Sequence, residues 1–250
     1  VSKLQQRLMR ELQQNRNIKI VKTAEWCIPI RTVSVTYEPV RRSTMDVLMT
    51  MLLLSIQEAD FGSAQELSEL LLVDPLFIDD LVSLMIRVNL VKSEEQFYRL
   101  TEKGQQQLER GIFEEELEVE TSTLYFSPCH QSFLTIDTNN DEYDELPELY
   151  RYIDKEAEQQ EQFEESLVIA ALQEVNAEGE ENSQKIISKI VQTEAQQIND
   201  SPCLEFVLYD REQDLLFVRV WNTLLNQWDH HLEQQLTDKE QLTWREQYLT

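Results

Sequence analysis

The stretch from Ser43 to Gly111 constrains the fold most, because its apolar spacing switches between helical and strand periods at well-marked turn signals. Ser43-Thr44 precede an apolar run of Met45, Val47, Leu48, Met51, Leu52, Leu54 and Ile56 that ends near Asp60-Phe61-Gly62. Ser63-Ala-Gln-Glu66 has the spacing of a capping box and opens a short helix through Leu67, Leu70 and Leu71. Asp74-Pro75 starts the next helix, with a carboxylate to accept the first free N–H groups and a proline where no amide bond is lost. That helix runs to about Asn89. Leu90-Val91, a polar turn Lys92–Glu95, and Phe97–Leu100 predict two short strands in a hairpin, and Thr101-Glu-Lys-Gly104 leads into a closing helix, Gln105 to Arg110.

This order of helix, helix, helix and hairpin resembles the winged-helix family. The run Tyr98-Arg-Leu-Thr-Glu-Lys-Gly104 looks like the wing ending of that family's bacterial transcription regulators. The resemblance implies a fold used both to read DNA and to dock on proteins, with the third helix as the DNA-reading element. Wound at helical pitch, residues 76–89 put Phe77, Leu81, Leu84, Met85 and Val88 on an expected core face, with Asp79, Asp80, Ser83 and Arg87 opposite. Two carboxylates to one guanidinium make a poor duplex-facing surface, since cations on phosphate supply most of the affinity. Ile78, Val82 and Ile86 form an additional apolar row, expected to be covered by another domain or another subunit.

Charge divides the chain. Of 47 acidic and 22 basic residues, giving a net charge of −25, residues 1–42 hold nine basic and three acidic groups, a local excess of +6. Residues 112–250 carry eight basic and thirty-two acidic groups, or −24. An acidic body of this size repels phosphate and favours basic partners. Arg7, Arg10, Arg16, Lys19, Lys22, Arg31, Arg41 and Arg42 are the candidates for contact with a nucleic acid or an acidic partner, or for lying on the acidic body itself.

The remainder reads as α+β. Leu4, Leu8 and Leu12 mark one stripe of an amphipathic first helix, and Trp26 to Tyr37 is β-rich, so residues 1–42 form a basic helix and β-element. The winged-helix domain spans 43–118, with Ile112–Glu120 expected as a helical extension or connector. Residues 119–250 form an acidic mixed α+β domain. In it, Thr123–Phe126 and Ser132–Ile136 read as strands. Phe163 to Val175 and Ile186 to Val191 read as helices, and Ser201-Pro202 as a boundary. Cys203–Tyr209 and Leu215–Trp221 predict a hairpin that makes Glu205 and Arg219 cross-strand neighbours. Two helices follow, the second opened by Thr237-Asp-Lys-Glu240.

Residues that carry chemistry are sparse. Asp137-Thr-Asn139-Asn-Asp141 with Glu148 approaches a calcium loop but has Glu142 where the sharp turn needs glycine. Cys129-His130 cannot act as an activated pair on a strand, where adjacent side chains point apart. No phosphate-binding or nucleophile-elbow motif occurs. No catalytic residue, metal ligand, cofactor or small-molecule ligand is therefore assigned. Three widely spaced cysteines suggest neither a disulfide framework nor a zinc ribbon. No stretch is long and apolar enough to span a bilayer, and the expected location is the cytoplasm. The chain is expected to be a non-catalytic interaction subunit of a larger bacterial assembly. By analogy of fold and charge, that assembly would be a chromosome-maintenance-type or DNA-defence ATPase complex, and a homo-oligomer is the other form of partner. The alternatives are a DNA-binding winged-helix regulator and, more weakly, an acidic DNA mimic.

Overall fold

The computed structural model describes residues 3–136, 146–154, 161–176 and 183–248, and shows an α+β protein. Instead of three consecutive stretches, the chain forms two compact units that interleave in sequence. Unit 1 comprises residues 1–35, 121–174 and 192–250, and unit 2 comprises 36–120 and 175–191. The expected joints at 42 and 118 move because two long strands, β1 (Ile18–Thr44) and β7 (Ser183–Asp210), each contribute residues to both units.

Unit 2 follows the local signals closely. Asp46 Oδ1 accepts from the N–H groups of Leu48 (2.8 Å) and Met49 (3.4 Å), starting α2 (Val47–Glu58). Ser63 accepts from the Glu66 N–H at 3.4 Å and Glu66 accepts from the Gly62 N–H at 2.9 Å, opening α3 (Ala64–Leu71). Asp74 and Pro75 open α4 (Pro75–Arg87). The hairpin is β2 (Val91–Glu94) with β3 (Phe97–Leu100), paired antiparallel from Val91–Leu100 to Glu94–Phe97. Thr101 caps α5 (Glu102–Arg110), its hydroxyl donating to the Asn89 carbonyl at 2.6 Å. A Cβ on Gly104 would run into the Leu90 carbonyl oxygen, so α5 seats against the hairpin only with glycine there.

Two elements of unit 2 differ from expectation. Gly111 ends α5 in the left-handed region (φ 65°), and Ile112–Glu116 is a strand, β4, antiparallel to the end of β1 instead of more helix. Its register sets Arg41 opposite Glu115 and Arg42 opposite Glu114, so the acidic stretch finds the basic one. Residues 186–191, read as a helix, belong to β7. Their β-branched side chains suit a strand, and the sheet supplies β1 as a partner.

In unit 1 the strand order is β6 (Ser132–Leu134), β5 (Glu120–Ser127), β1, β7, β8 (Leu215–Asn222), β9 (Gln227–Trp228). The amphipathic α1 (Lys3–Leu12) puts Leu8 against Leu204, Phe206 and Leu208. Cys203 and Val207 share the other face of β7 with Leu232, Leu236 and Trp244 of α7 (His230–Tyr248), which makes the larger core. A further helix, α6 (Glu165–Val175), buries Val168 and Leu172. Ser201-Pro202 is no boundary; it lies within β7.

The two helices expected after Asn222 become a turn, β9 and a single helix. Asn222 Oδ1 accepts from the Leu224 and Leu225 N–H groups at 3.0 and 3.3 Å, folding a turn, and Asp229 supplies the helix cap through the Leu232 N–H at 3.1 Å. Thr237 does not start a new helix, because its hydroxyl bonds back to the Glu233 carbonyl at 2.8 Å within α7. Among the described residues no helix is long and apolar enough to cross a membrane.

Candidate functional site

The helix surface of unit 2 is where side chains and exposure disagree most. α2 is apolar nearly all round. Met49, Leu52, Leu53 and Ile56 enter the core, which leaves Val47 (73% exposed), Met51 and Leu54 as an outward stripe at i, i+4 and i+7. Asp46 and Glu58, both exposed, bracket that stripe. At the α3–α4 corner, Leu70, Leu72, Leu76 and Phe77 are also exposed. Leu72 is 90% exposed and holds the left-handed cap of α3 at φ 57°. Exposed Glu69, Asp74, Asp79 and Asp80 surround these residues in sequence, and among the described residues no cation pairs with them.

The row expected to be an interface is not available as one. Ile78 (0% exposed) and Val82 (2%) lie in the core of unit 2 with Met85, and only Ile86 is partly open. α4 is apolar over more than half its circumference, so two arcs could serve as the core face. Packing selects the arc centred on Ile78 and Val82 and turns Phe77 outward, a rotation of nearly one residue step of about 100°.

The basic candidates separate into three groups. Arg41 and Arg42 pair with Glu115 (3.6 Å) and Glu114 (2.5 Å) of β4, so their charge is met inside unit 2. Arg31 is 8% exposed. Arg7, Arg10, Arg16, Lys19 and Lys22 are exposed on unit 1. In the hairpin of unit 2, Arg99 pairs with Asp60 and Lys92 with Glu94, which leaves the hairpin with little positive field.

Unit 1 holds a polar chain that sequence spacing did not reveal. His130 Nδ1 lies 2.7 Å from Ser127 Oγ, and its Nε2 lies 2.9 Å from Asp229 Oδ2, which also accepts from Asn222 Nδ2 at 2.9 Å. The elements are those of a nucleophile, a base and an orienting acid. Ser127 is 0% exposed and Asp229 4%, so no substrate carbonyl can reach the hydroxyl, and the chain ties the β5–β6 turn to the start of α7. Burial alone would raise the Asp229 pKa; the His130 and Asn222 hydrogen bonds outweigh it and hold the carboxyl below its ordinary range. The only signal in the sequence was Ser127 three residues before His130. Asp229, ninety-nine residues further on, had none.

Cys129 and Cys203 enter the larger core of unit 1, Cys27 is buried as well, and none of the three forms a disulfide. Burial pushes Cys27 up to about 11 and Cys203 well above its ordinary value, so neither is a nucleophile at neutral pH. Among the described residues no group of three or more His, Cys, Asp or Glu side chains could hold a metal ion. Most of the calcium-like segment, Asp137 to Glu145, lies outside the described residues. A 540 Å³ groove of unit 2, lined by Glu38, Lys103, Glu114, Glu116 and Ser188, has mixed charge, with Lys103 held by Glu116 at 2.8 Å. Compared with protein-family models, curated proteins and solved structures, the chain matches none.

Proposed function

We propose that this chain is a non-catalytic interaction subunit of a larger cytoplasmic assembly, in which unit 2 is a winged-helix-like module that binds protein instead of duplex DNA. The observation that carries this reading is the surface of α2 to α4. It exposes large apolar side chains, and residues 45–88 hold eight acids (Asp46, Glu58, Asp60, Glu66, Glu69, Asp74, Asp79 and Asp80) to one base, Arg87. A duplex reader needs the reverse, because affinity for DNA comes largely from cations that displace counterions at phosphate. Exposed apolar groups with an acidic surround suit a protein contact whose apolar centre excludes water. The fold and charge analogy with accessory subunits of chromosome-maintenance-type ATPases supports the same role. Free, buried cysteines accord with a reducing compartment.

A second reading, a DNA-binding regulator, draws on Arg7, Arg10, Arg16, Lys19 and Lys22, which are exposed on unit 1. Titrating the full chain with labelled duplex at rising salt separates the two. The docking reading expects no salt-dependent duplex binding. It also expects co-purification with a specific larger protein from native cells that Met51→Glu abolishes without lowering the melting temperature. Tight duplex binding that falls steeply with salt and is lost in Arg7→Ala/Arg10→Ala would establish the regulator instead.

A further inference from the structure

We infer that the α3–α4 corner, with Leu72 as its projecting anchor, receives a cationic amphipathic helix; this rests on the docking reading and names the partner's chemistry. Leu72 combines two features that do not help the fold. Its φ of 57° is a conformation that costs any residue with a Cβ, and glycine would cap α3 there without strain. Its side chain, 90% exposed, buries almost nothing in return. Strain retained beside an exposed apolar group is accounted for when the side chain serves a contact outside the fold.

The corner is also held in place. The Ser68 carbonyl accepts from the Leu72 N–H, and the Ser68 hydroxyl donates to the Val73 carbonyl at 2.6 Å, so the anchor is presented on a braced turn. Leu70, Leu76 and Phe77 flank it with exposed apolar surface.

Charge selects the occupant. Glu69, Asp74, Asp79 and Asp80 are exposed beside these four apolar residues, and no lysine or arginine occurs between Met45 and Ile86. A second copy docking through the same corner would set like charges against each other. The corner is built only of helix ends and offers no open strand edge, so the partner does not add a strand. An amphipathic helix with an apolar stripe between lysines or arginines meets both the apolar and the acidic demands.

The test uses the full chain and two synthetic helical peptides, one of leucine and lysine and one with glutamate for each lysine, followed by fluorescence anisotropy. The leucine–lysine peptide is expected to bind and the leucine–glutamate peptide not to. Leu72→Gly is expected to weaken binding by about tenfold or more while raising the melting temperature, since it relieves the backbone. Leu242→Gly, which removes an exposed leucine of unit 1, is the control for general attraction to an acidic chain and is expected to leave peptide binding unchanged, although glycine within α7 lowers the melting temperature. Equal binding of the two peptides, or unaltered binding by Leu72→Gly, overturns the assignment. Self-association of the native chain that Leu72→Gly dissolves also overturns it, because the occupant is then a second copy. If Met51→Glu abolishes co-purification of a native partner and Leu72→Gly leaves both that and peptide binding intact, the docking reading stands and the anchor fails. If neither variant affects co-purification, both fail.

Discussion

Glu205 is 1% exposed, with the Arg151 guanidinium on both of its oxygens (2.8 and 3.2 Å) and the Trp26 indole N–H donating at 2.7 Å. Arg151 also reaches Glu240, so one partly buried cation serves two carboxylates. Removing it leaves a carboxylate without water or counter-charge, and Arg151→Ala is expected to cost about 3–5 kcal/mol in denaturant unfolding. Asp229 gives a pH prediction whose sign follows from its lowered pKa. The unfolded carboxyl takes up a proton first as pH falls, so the stabilisation is complete above about pH 4 and is lost as pH drops through the folded value. Asp229→Asn should therefore lower the melting temperature at neutral pH and make its decline in acid shallower, measured by thermal melts across pH. The three thiols give a simpler test. In the folded chain at pH 8 they should resist a disulfide reagent, and all three should react once the chain is denatured.

At the scale of elements, two glycines separate sterics from backbone freedom. Gly111 has open space where a Cβ would sit but a φ of 65°, so Gly111→Ala should cost about 1–2 kcal/mol. Gly104 has an ordinary backbone but no room beside the Leu90 carbonyl, so Gly104→Ala should cost about 3 kcal/mol and loosen the seat of α5 on the hairpin. Comparative chemical denaturation of the two variants checks the order. The second of these roles explains the Thr101–Gly104 run at the end of β3. Its glycine was visible in the sequence, while the carbonyl it avoids was not. The β7–β8 hairpin makes the same point through register. Glu205 lies opposite Val220, and Phe206 opposite Arg219, one residue away from the expected pairing of Glu205 with Arg219. A shift of one residue places Glu205 and Arg219 on opposite faces. Glu205 turns inward to Arg151, and Arg219 meets Glu233 at 2.7 Å.

For the whole molecule, the interleaved units decide which fragments are sensible. A fragment of residues 43–118 omits Val40, Arg41 and Arg42, which pair with Glu116, Glu115 and Glu114, and loses both ion pairs between β1 and β4. It is expected to melt at a lower temperature than a fragment of residues 36–120, as read by circular dichroism. Adding residues 175–191 in trans should stabilise the longer fragment, because that segment belongs to unit 2. A longer fragment that gains nothing from the added segment would show unit 2 to be complete without it.

The sequence by itself determined the elements whose hydrogen bonds close locally. The caps at Ser63 and Asp74, the α3 and α4 starts, the β2–β3 turn and the stripe of α1 each depend on residues within a few positions, while α2 and α5 start at the caps Asp46 and Thr101 instead of at the expected Ser43-Thr44 and Gln105. Tertiary structure alone decided the rest. It chose which arc of α4 faces inward, since an apolar excess leaves two arcs equally fit until α2, α3 and β2 supply a surface. It made 186–191 a strand and moved the joints between units, because β1 and β7 satisfy their backbone groups across long stretches of chain. It also assigned the partners of Glu205, His130 and Asp229. Burial makes an unpaired charge or polar group costly, and the nearest group able to meet it lay far away in sequence.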